Sequence, residues 1–206
     1  MIPALEALER LREGNLRFAS GLRSVDALLS QMRRGDLVET QHPFAVIIGC
    51  SDSRVPVEIV FDQGLGDLFV IRVAGNIVAP SQIGSVEFAA ERYGTRLVVV
   101  MGHTRCSAVA ATLEELRRPT ESRSQNLRSI VDRIRPALDD LIETSLEQDP
   151  NALARLAIRA NVRASAKLLR HGSETLEHLI DEGRLLVVGA EYSLESGAVD
   201  FFDGVP

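Results

Sequence analysis

Both cysteines of the chain, Cys50 and Cys106, stand among polar residues suited to chemistry. Cys50 opens the run Cys-Ser-Asp-Ser-Arg, and Cys106 closes the run His-Thr-Arg-Cys that begins at His103. Two thiolates and one imidazole are the protein ligands of one kind of catalytic zinc site, and they leave the fourth tetrahedral position free for water or substrate. The sequence therefore predicts one Zn²⁺ per chain, bound by Cys50, His103 and Cys106.

Asp52 and Arg54 follow the first cysteine closely enough to take part in such a site. A carboxylate at this spacing reaches the open position of the metal, and an arginine can hold it back through a bidentate, charge-assisted pair. Plainer alternatives exist: the pair is an ordinary salt bridge in a loop, and the cysteines are small apolar residues of a core, where free cysteine is common. The histidine at ligand spacing favours the metal site, and beside a metal ligand Asp52 and Arg54 are interpreted as a switch or orienting dyad.

Continuous apolar runs precede both ligand segments, as expected for strands that are buried on both faces. These runs cover residues 44–49, 67–73, 97–102 and 185–190, and residues 197–202 predict a last strand at the sheet edge. Helical patterns at 81–93 and 108–116 alternate with them, which is typical of a parallel sheet. The predicted fold class is α/β, with a mainly parallel central sheet of four to five strands flanked by helices.

The two ligand segments are expected at one edge of this sheet. Ligands of open parallel sheets bind beyond the carboxyl ends of the strands, and Cys50 and His103 directly follow two of these strands. His103 and Cys106 converge on one ion if their loop enters a helix at once. The N-terminus of that helix is then expected to lower the pKa of the Cys106 thiol.

The first 36 residues read differently from the rest. An amphipathic first helix, interrupted near Gly14, is predicted from the spacing of Leu5, Leu8, Leu11, Leu16 and Phe18, and a short second helix from residues 25–32. We interpret residues 1–36 as an N-terminal helical arm and residues 43–206 as the α/β core of a single domain, 1–206. Residues 121–171 are expected to be mostly helical, with a break at Asp149-Pro150-Asn151.

The composition of the chain argues against some classes of function. The chain has 206 residues, 45% of them apolar, and a formal net charge of −6. An acidic balance argues against a nucleic-acid partner, which requires clustered basic residues. Because the N-terminus lacks a signal-peptide pattern and no run reaches the roughly 18 apolar residues of a membrane span, we expect a cytoplasmic protein with no membrane partner. Thiols stay reduced in that compartment, which favours metal binding over a disulfide.

The pairing of Cys-x-Asp-x-Arg at 50–54 with His-x-x-Cys at 103–106 resembles the β-class carbonic anhydrases, and residues 67–76 and 84–88 are also similar to segments of that family. The similarity is strongest over residues 41–111. It implies a zinc lyase in which a zinc-bound hydroxide hydrates CO₂ reversibly to bicarbonate and a proton, with Asp52 and Arg54 as the catalytic dyad. It also implies a homodimer held by N-terminal helical arms, with further pairing to a homotetramer.

The resemblance extends to a substrate pocket. It implies that Gln41 orients the substrate across the dimer and that Phe69, Val73 and Phe88 form an apolar wall around CO₂, which carries no charge to bind. Core packing is the alternative for the two phenylalanines. Ser107 departs from the glycine that many members carry after the second cysteine, although its backbone N–H remains a candidate oxyanion donor.

Other readings stay open. A hydrolase of a CO₂ analogue such as CS₂ or COS would use the same zinc hydroxide, and a noncatalytic zinc-stabilised binding protein would use the same ligands. A nucleotide-binding protein is disfavoured because the strand ends carry no glycine-rich phosphate loop. Ile47 stands where one bicarbonate-regulated subgroup carries tryptophan, and the chain has no tryptophan, so that regulatory pocket is not expected in its usual form.

Overall fold

The computed structural model describes residues 2–29, 35, 37–118, 124–142 and 149–206. Its five strands are β1 Ala45–Gly49, β2 Leu68–Arg72, β3 Leu97–His103, β4 Leu186–Tyr192 and β5 Val199–Asp203. They form one sheet with the order β2-β1-β3-β4-β5. The first four run parallel, and β5 pairs antiparallel with β4 at the edge. The predicted fold class is confirmed, including the edge strand near the C-terminus.

The helices flank this sheet. They are α1 Ala4–Ala19, α2 Val25–Leu29, α3 Val57–Val60, α4 Pro80–Tyr93, α5 Ser107–Arg117, α6 Gln125–Ile134, α7 Asp139–Ile142, α8 Pro150–His171 and α9 Glu174–Asp181. The predicted break at Asp149 is the start of α8, because the Asp149 carboxylate accepts hydrogen bonds from two N–H groups of its first turn. Positions 30–34 of the predicted arm and 121–123 and 143–148 of the predicted helical region lie outside the described residues. Within the described ranges, no helix is both long and apolar enough to cross a membrane.

The β-branched runs form the central strands because both faces of the sheet are covered. All residues of β1 and β3 are buried. On one face, Val99 and Met101 pack in the cluster that includes Leu8 and Leu11 of α1. On the other face, alternate residues of the same strands pack against α4 and α8. The buried strands β1 and β3 are therefore held rigidly, and they fix the positions of the residues that directly follow them.

The N-terminal helix is present as predicted, but it is not separate from the core as an arm would be. Ala7, Leu8 and Leu11 are at most 1% exposed. The amide of the buried Asn15 donates to the carbonyls of Val60 and Gly197, at 3.1 and 2.9 Å, and its oxygen accepts from the N–H of Val199 at 2.8 Å. One face of α1 therefore belongs to the core of its own chain.

The expected interruption at Gly14 is wrong, because α1 continues through it. Gly14 is buried against α3, and a Cβ at this position would lie only 1.9 Å from the carbonyl oxygen of Phe61. The glycine permits a close approach of two backbones and does not end the helix.

Replacing Gly14 with alanine is expected to lower the free energy of unfolding by about 1–3 kcal/mol, because the new methyl group forces α1 away from Phe61. Gly84 within α4 is the matched control, since a Cβ there meets no described atom within 4 Å. Gly84→Ala should instead stabilise the protein by up to about 1 kcal/mol through its helix propensity. Urea unfolding monitored by circular dichroism measures both, and similar effects of the two substitutions would contradict the close-approach role.

Candidate metal centre

The carboxyl ends of β1 and β3 bring the predicted ligands together. The two strands are adjacent and parallel, so Cys50 and His103 leave the sheet side by side. Cys106 follows in the N-cap position of α5. All three residues are buried, and the sulfur and imidazole nitrogen atoms available as ligands lie within 4.8 Å of one another. The structure thus assembles two sulfurs and one nitrogen around one point.

The imidazole of His103 is arranged as a metal ligand. Its Nδ1 lies 2.9 Å from the carbonyl oxygen of Thr104, which assigns the ring proton to Nδ1 and leaves the lone pair on Nε2. Nε2 is buried and has no hydrogen-bond partner among the described residues. A buried polar atom without a partner is costly, whereas a ligating histidine characteristically binds metal through one nitrogen and donates to an acceptor through the other. The donor set therefore fits a zinc ion.

The two thiols share their protons unequally. The pKa of Cys50 is lowered to about 4, chiefly because Cys106 donates a hydrogen bond to its sulfur, and this outweighs the effect of burial. The pKa of Cys106 is raised for the same reason and by burial. The N–H groups at the start of α5 lower the pKa of Cys106, as predicted, but the neighbouring sulfur of Cys50 raises it by more. The predicted lowering of the Cys106 pKa is therefore wrong for this pair of thiols, which loses its first proton easily and its second only with difficulty.

Gly75 adds a backbone donor that the sequence analysis missed. Its N–H donates to Cys50 Sγ at 3.3 Å, and its carbonyl oxygen accepts from the side chain of the buried Asn161 at 2.8 Å. The residue has φ of 70°, and a Cβ would lie 2.8 Å from Ile134 Cδ1. The positive φ therefore favours glycine, although the tip of the Ile134 side chain could move aside for a Cβ, and the peptide is held with its N–H toward the thiolate.

Arg54 engages both carboxylate oxygens of Asp52. Its Nε donates to Oδ1 at 2.9 Å and its Nη2 to Oδ2 at 2.7 Å, and its backbone N–H also donates to Oδ1. These bonds, first of all those from the guanidinium, hold the pKa of Asp52 well below its usual range in spite of desolvation. Asp52 Oδ2 lies 4.0 Å from His103 Nε2. An ionised carboxylate thus borders the three donors while it rests on the arginine.

Arg72 is a second residue that the sequence analysis missed. It ends β2, beside the end of β1, and donates to the carbonyl oxygens of Cys50 at 3.0 Å and Asp52 at 2.7 Å. Its position at a strand end next to the first cysteine was the available signal. The loop that carries Cys50 and Asp52 is held by this arginine.

Not all predicted pocket residues lie near the three donors of their own chain. Val73 packs in the cluster that contains both cysteines. Gln41 precedes β1 and therefore lies near the amino end of that strand, whereas Cys50 follows its carboxyl end. The amide of Gln41 donates to Tyr93 Oη at 2.9 Å. The rings of Phe69 and Phe88 have centroids 6.4 Å apart, and Phe88 is 52% exposed. Their predicted role at a substrate pocket stays a prediction.

Ser107 begins α5 directly after Cys106, and its side chain is exposed. The role of its backbone N–H as an oxyanion donor stays a prediction.

Comparison with known proteins gives one consistent result. Residues 45–199 match the model of a family described as carbonic anhydrase. The chain is 36% identical over 194 residues to a carbonic anhydrase of Mycolicibacterium smegmatis, covering 94% of this chain and 91% of that protein. It is also 36% identical over 193 residues to carbonic anhydrase 2 of Mycobacterium tuberculosis, covering 93% and 89%. A tetrameric β-carbonic anhydrase of Sordaria macrospora has the same fold, with a TM-score of 0.74 at 24% identity over 96% of this chain and 97% of that one.

Proposed function

Since the chain belongs to the β class of the carbonic anhydrase family, we propose that it hydrates CO₂ to bicarbonate and a proton at a zinc ion held by Cys50, His103 and Cys106. The observation that carries the metal assignment is the buried Nε2 of His103, which has no partner among the described groups and lies with two sulfurs around one point. Three such ligands leave one tetrahedral position for the reaction.

A zinc ion held by Cys50, His103 and Cys106 would supply hydroxide as the nucleophile for CO₂. Asp52 would accept a hydrogen bond from the attacking oxygen and so direct its lone pair at the substrate. Arg54 supports this role because it engages both carboxylate oxygens and keeps Asp52 ionised beside the donors. The reaction is thus assigned to one carboxylate whose position an arginine controls.

We also propose that the working enzyme is a homodimer, with further pairing into a homotetramer like its Sordaria relative. Gln41 bonds to Tyr93, Phe69 packs near Phe88, and Phe88 is half-exposed, which suits residues that serve a neighbouring subunit. We further propose that residues 1–206 act as one domain and that the protein is cytoplasmic, because thiolate ligands require a reducing compartment.

Zinc content and CO₂ hydration, measured together, test the central proposal. We expect one zinc per chain and a hydration rate that is lost on chelation and restored by zinc. Two thiolates would offset the charge of the zinc ion, so a water bound to it should ionise at a higher pH than in a three-histidine site. The hydration rate should therefore rise over about pH 6.5 to 9. The Asp52 carboxyl stays ionised throughout that range, because its pKa is held far lower, and it cannot cause the rise.

Three outcomes would contradict the proposal. A flat pH profile would count against an ionising zinc-bound water. Turnover of CS₂ or COS without CO₂ would indicate an analogue hydrolase. Stoichiometric zinc without turnover of any of these substrates would indicate a binding protein.

A further inference from the structure

The two residues between His103 and Cys106 are held by an unusual set of contacts. Thr104 and Arg105 connect two predicted zinc ligands, and Arg105 has φ of 57°, in the left-handed region that non-glycine residues seldom adopt. Such a conformation persists only where the surroundings enforce it. The groups that enforce it therefore bear on the geometry of both ligands.

Glu195 supplies those contacts from the turn between β4 and β5. Its Oε2 accepts from the Thr104 hydroxyl at 2.7 Å, and its Oε1 accepts from Arg105 Nε at 2.8 Å. The Thr104 hydroxyl also accepts from the N–H of Leu194 at 3.0 Å, and the Thr104 N–H donates to the carbonyl oxygen of Tyr192 at 2.9 Å. One carboxylate thus binds two adjacent residues of the ligand loop, and the backbone beside it binds the same loop.

The peptide groups of this loop act on the site in two ways. The carbonyl oxygen of Thr104 accepts from His103 Nδ1 and so fixes the ring with Nε2 toward the two sulfurs. The carbonyl oxygen of Arg105 accepts from Arg54 Nη2 at 3.4 Å. If the loop shifts, both the imidazole and the arginine that holds Asp52 lose a partner.

We propose that Glu195 is a positioning residue of the metal centre: it holds the Thr104 and Arg105 peptides in the conformation that orients His103 for zinc and supports Arg54. This inference rests on the proposed zinc function and goes beyond it, because Glu195 reaches the centre through other residues. Hydrogen bonds from Thr104 and Arg105 also lower the pKa of Glu195, so the carboxylate is charged at neutral pH.

An ordinary surface salt bridge is the competing account. Arg105 and Glu195 have side chains that are 74% and 50% exposed, and an isolated pair of this kind contributes little to stability because solvent screens it. Glu182 and Arg184 form such a pair on the surface at 2.9 Å, away from the ligand loop. Glu195 bonds to two residues of the ligand loop, whereas Glu182 bonds to a surface arginine, so Glu182 is a matched control.

The test measures zinc affinity by competition with a coloured chelator for the wild type, Glu195→Ala, Glu195→Gln and Glu182→Ala. Partners behind metal ligands typically contribute 10- to 100-fold in affinity, so Glu195→Ala should bind zinc about 10- to 100-fold more weakly. Glu195→Gln should lie between, since its amide oxygen still accepts from Thr104 but loses the charged bond to Arg105. Glu182→Ala should stay within about twofold of the wild type.

The outcomes separate the two proposals. A wild-type chain that binds no zinc overturns the proposed function. A wild-type chain that binds zinc, with Glu195→Ala within about twofold of it, overturns only the role of Glu195. Equal losses in Glu195→Ala and Glu182→Ala do the same, because they show a general effect of surface charge. If Glu195→Ala does not fold, Thr104→Val removes the hydroxyl alone and should weaken zinc binding in the same direction, and unchanged affinity there also overturns the inference.

Discussion

Replacing Arg54 with alanine is expected to lower kcat/KM for CO₂ hydration about 100- to 1,000-fold while the chain keeps its zinc, an effect similar to the loss of one preorganised donor at a reacting centre. Arg54 donates to both oxygens of Asp52 through its side chain. Without the guanidinium the pKa of Asp52 rises toward its ordinary value, but the carboxyl is still ionised at neutral pH. The freed carboxylate, 4.0 Å from His103 Nε2 in the wild type, can then reach the open zinc position and exclude water.

Stopped-flow hydration assays with parallel zinc analysis measure this effect. Arg184→Ala is the matched control, because Arg184 also pairs with an acidic residue two positions earlier, at 2.9 Å, but on the surface. It should leave kcat/KM unchanged. A zinc-bound structure of the Arg54 variant should show Asp52 on the metal, and full activity of that variant would contradict a controlling role for Arg54.

Cys106→Ser is expected to weaken zinc binding about 100- to 1,000-fold and to reduce hydration at limiting zinc to background. Structural zinc sites with four ligands bind with roughly 10–16 kcal/mol, or about 2.5–4 kcal/mol per ligand, and each 1.4 kcal/mol is a factor of ten. A serine hydroxyl keeps nearly the size of the thiol but does not ionise near neutral pH. The buried N-cap position of α5 therefore loses its ligand and little of its packing.

Val109→Ala is the control for this change, because Val109 is buried in the first turns of the same helix and carries no metal-binding atom. It should lower stability by about 1 kcal/mol and leave zinc affinity unchanged. Chelator competition and urea unfolding, applied to both variants, separate a lost ligand from a loosened helix. Wild-type zinc affinity in Cys106→Ser would remove this cysteine from the ligand set.

The sequence was sufficient for the sheet and for the residues that end its central strands. Apolar runs predict strands wherever both faces are covered, and polar residues directly after them predict a site at the carboxyl edge. The same reasoning applied to β4 would have indicated Glu195, which follows that strand at the same edge as Cys50 and His103. It was missed because a glutamate in a turn between strands carries no distinctive ligand chemistry.

Other features depend on contacts between distant parts of the chain and have no local pattern. In the sequence Gly14 resembles a helix break. Its reason for being glycine is the carbonyl oxygen of Phe61, which lies beside it only in the folded chain. The pKa of Cys106 is raised by Cys50, a partner that only the fold brings near. Gln41 and Phe88 both contact Tyr93, and these contacts likewise form only when the chain folds.

The contacts of Asn15 also bear on the order in which the protein forms. Asn15 is 184 positions from Val199, and it binds both Gly197 and Val199 next to the turn that carries Glu195. Contacts between residues so far apart in the sequence form slowly, because a long stretch of intervening chain must be ordered first. The turn that holds the loop between His103 and Cys106 is therefore fixed only once α1 has met the last two strands. We expect the proposed zinc site to reach its final geometry late in folding.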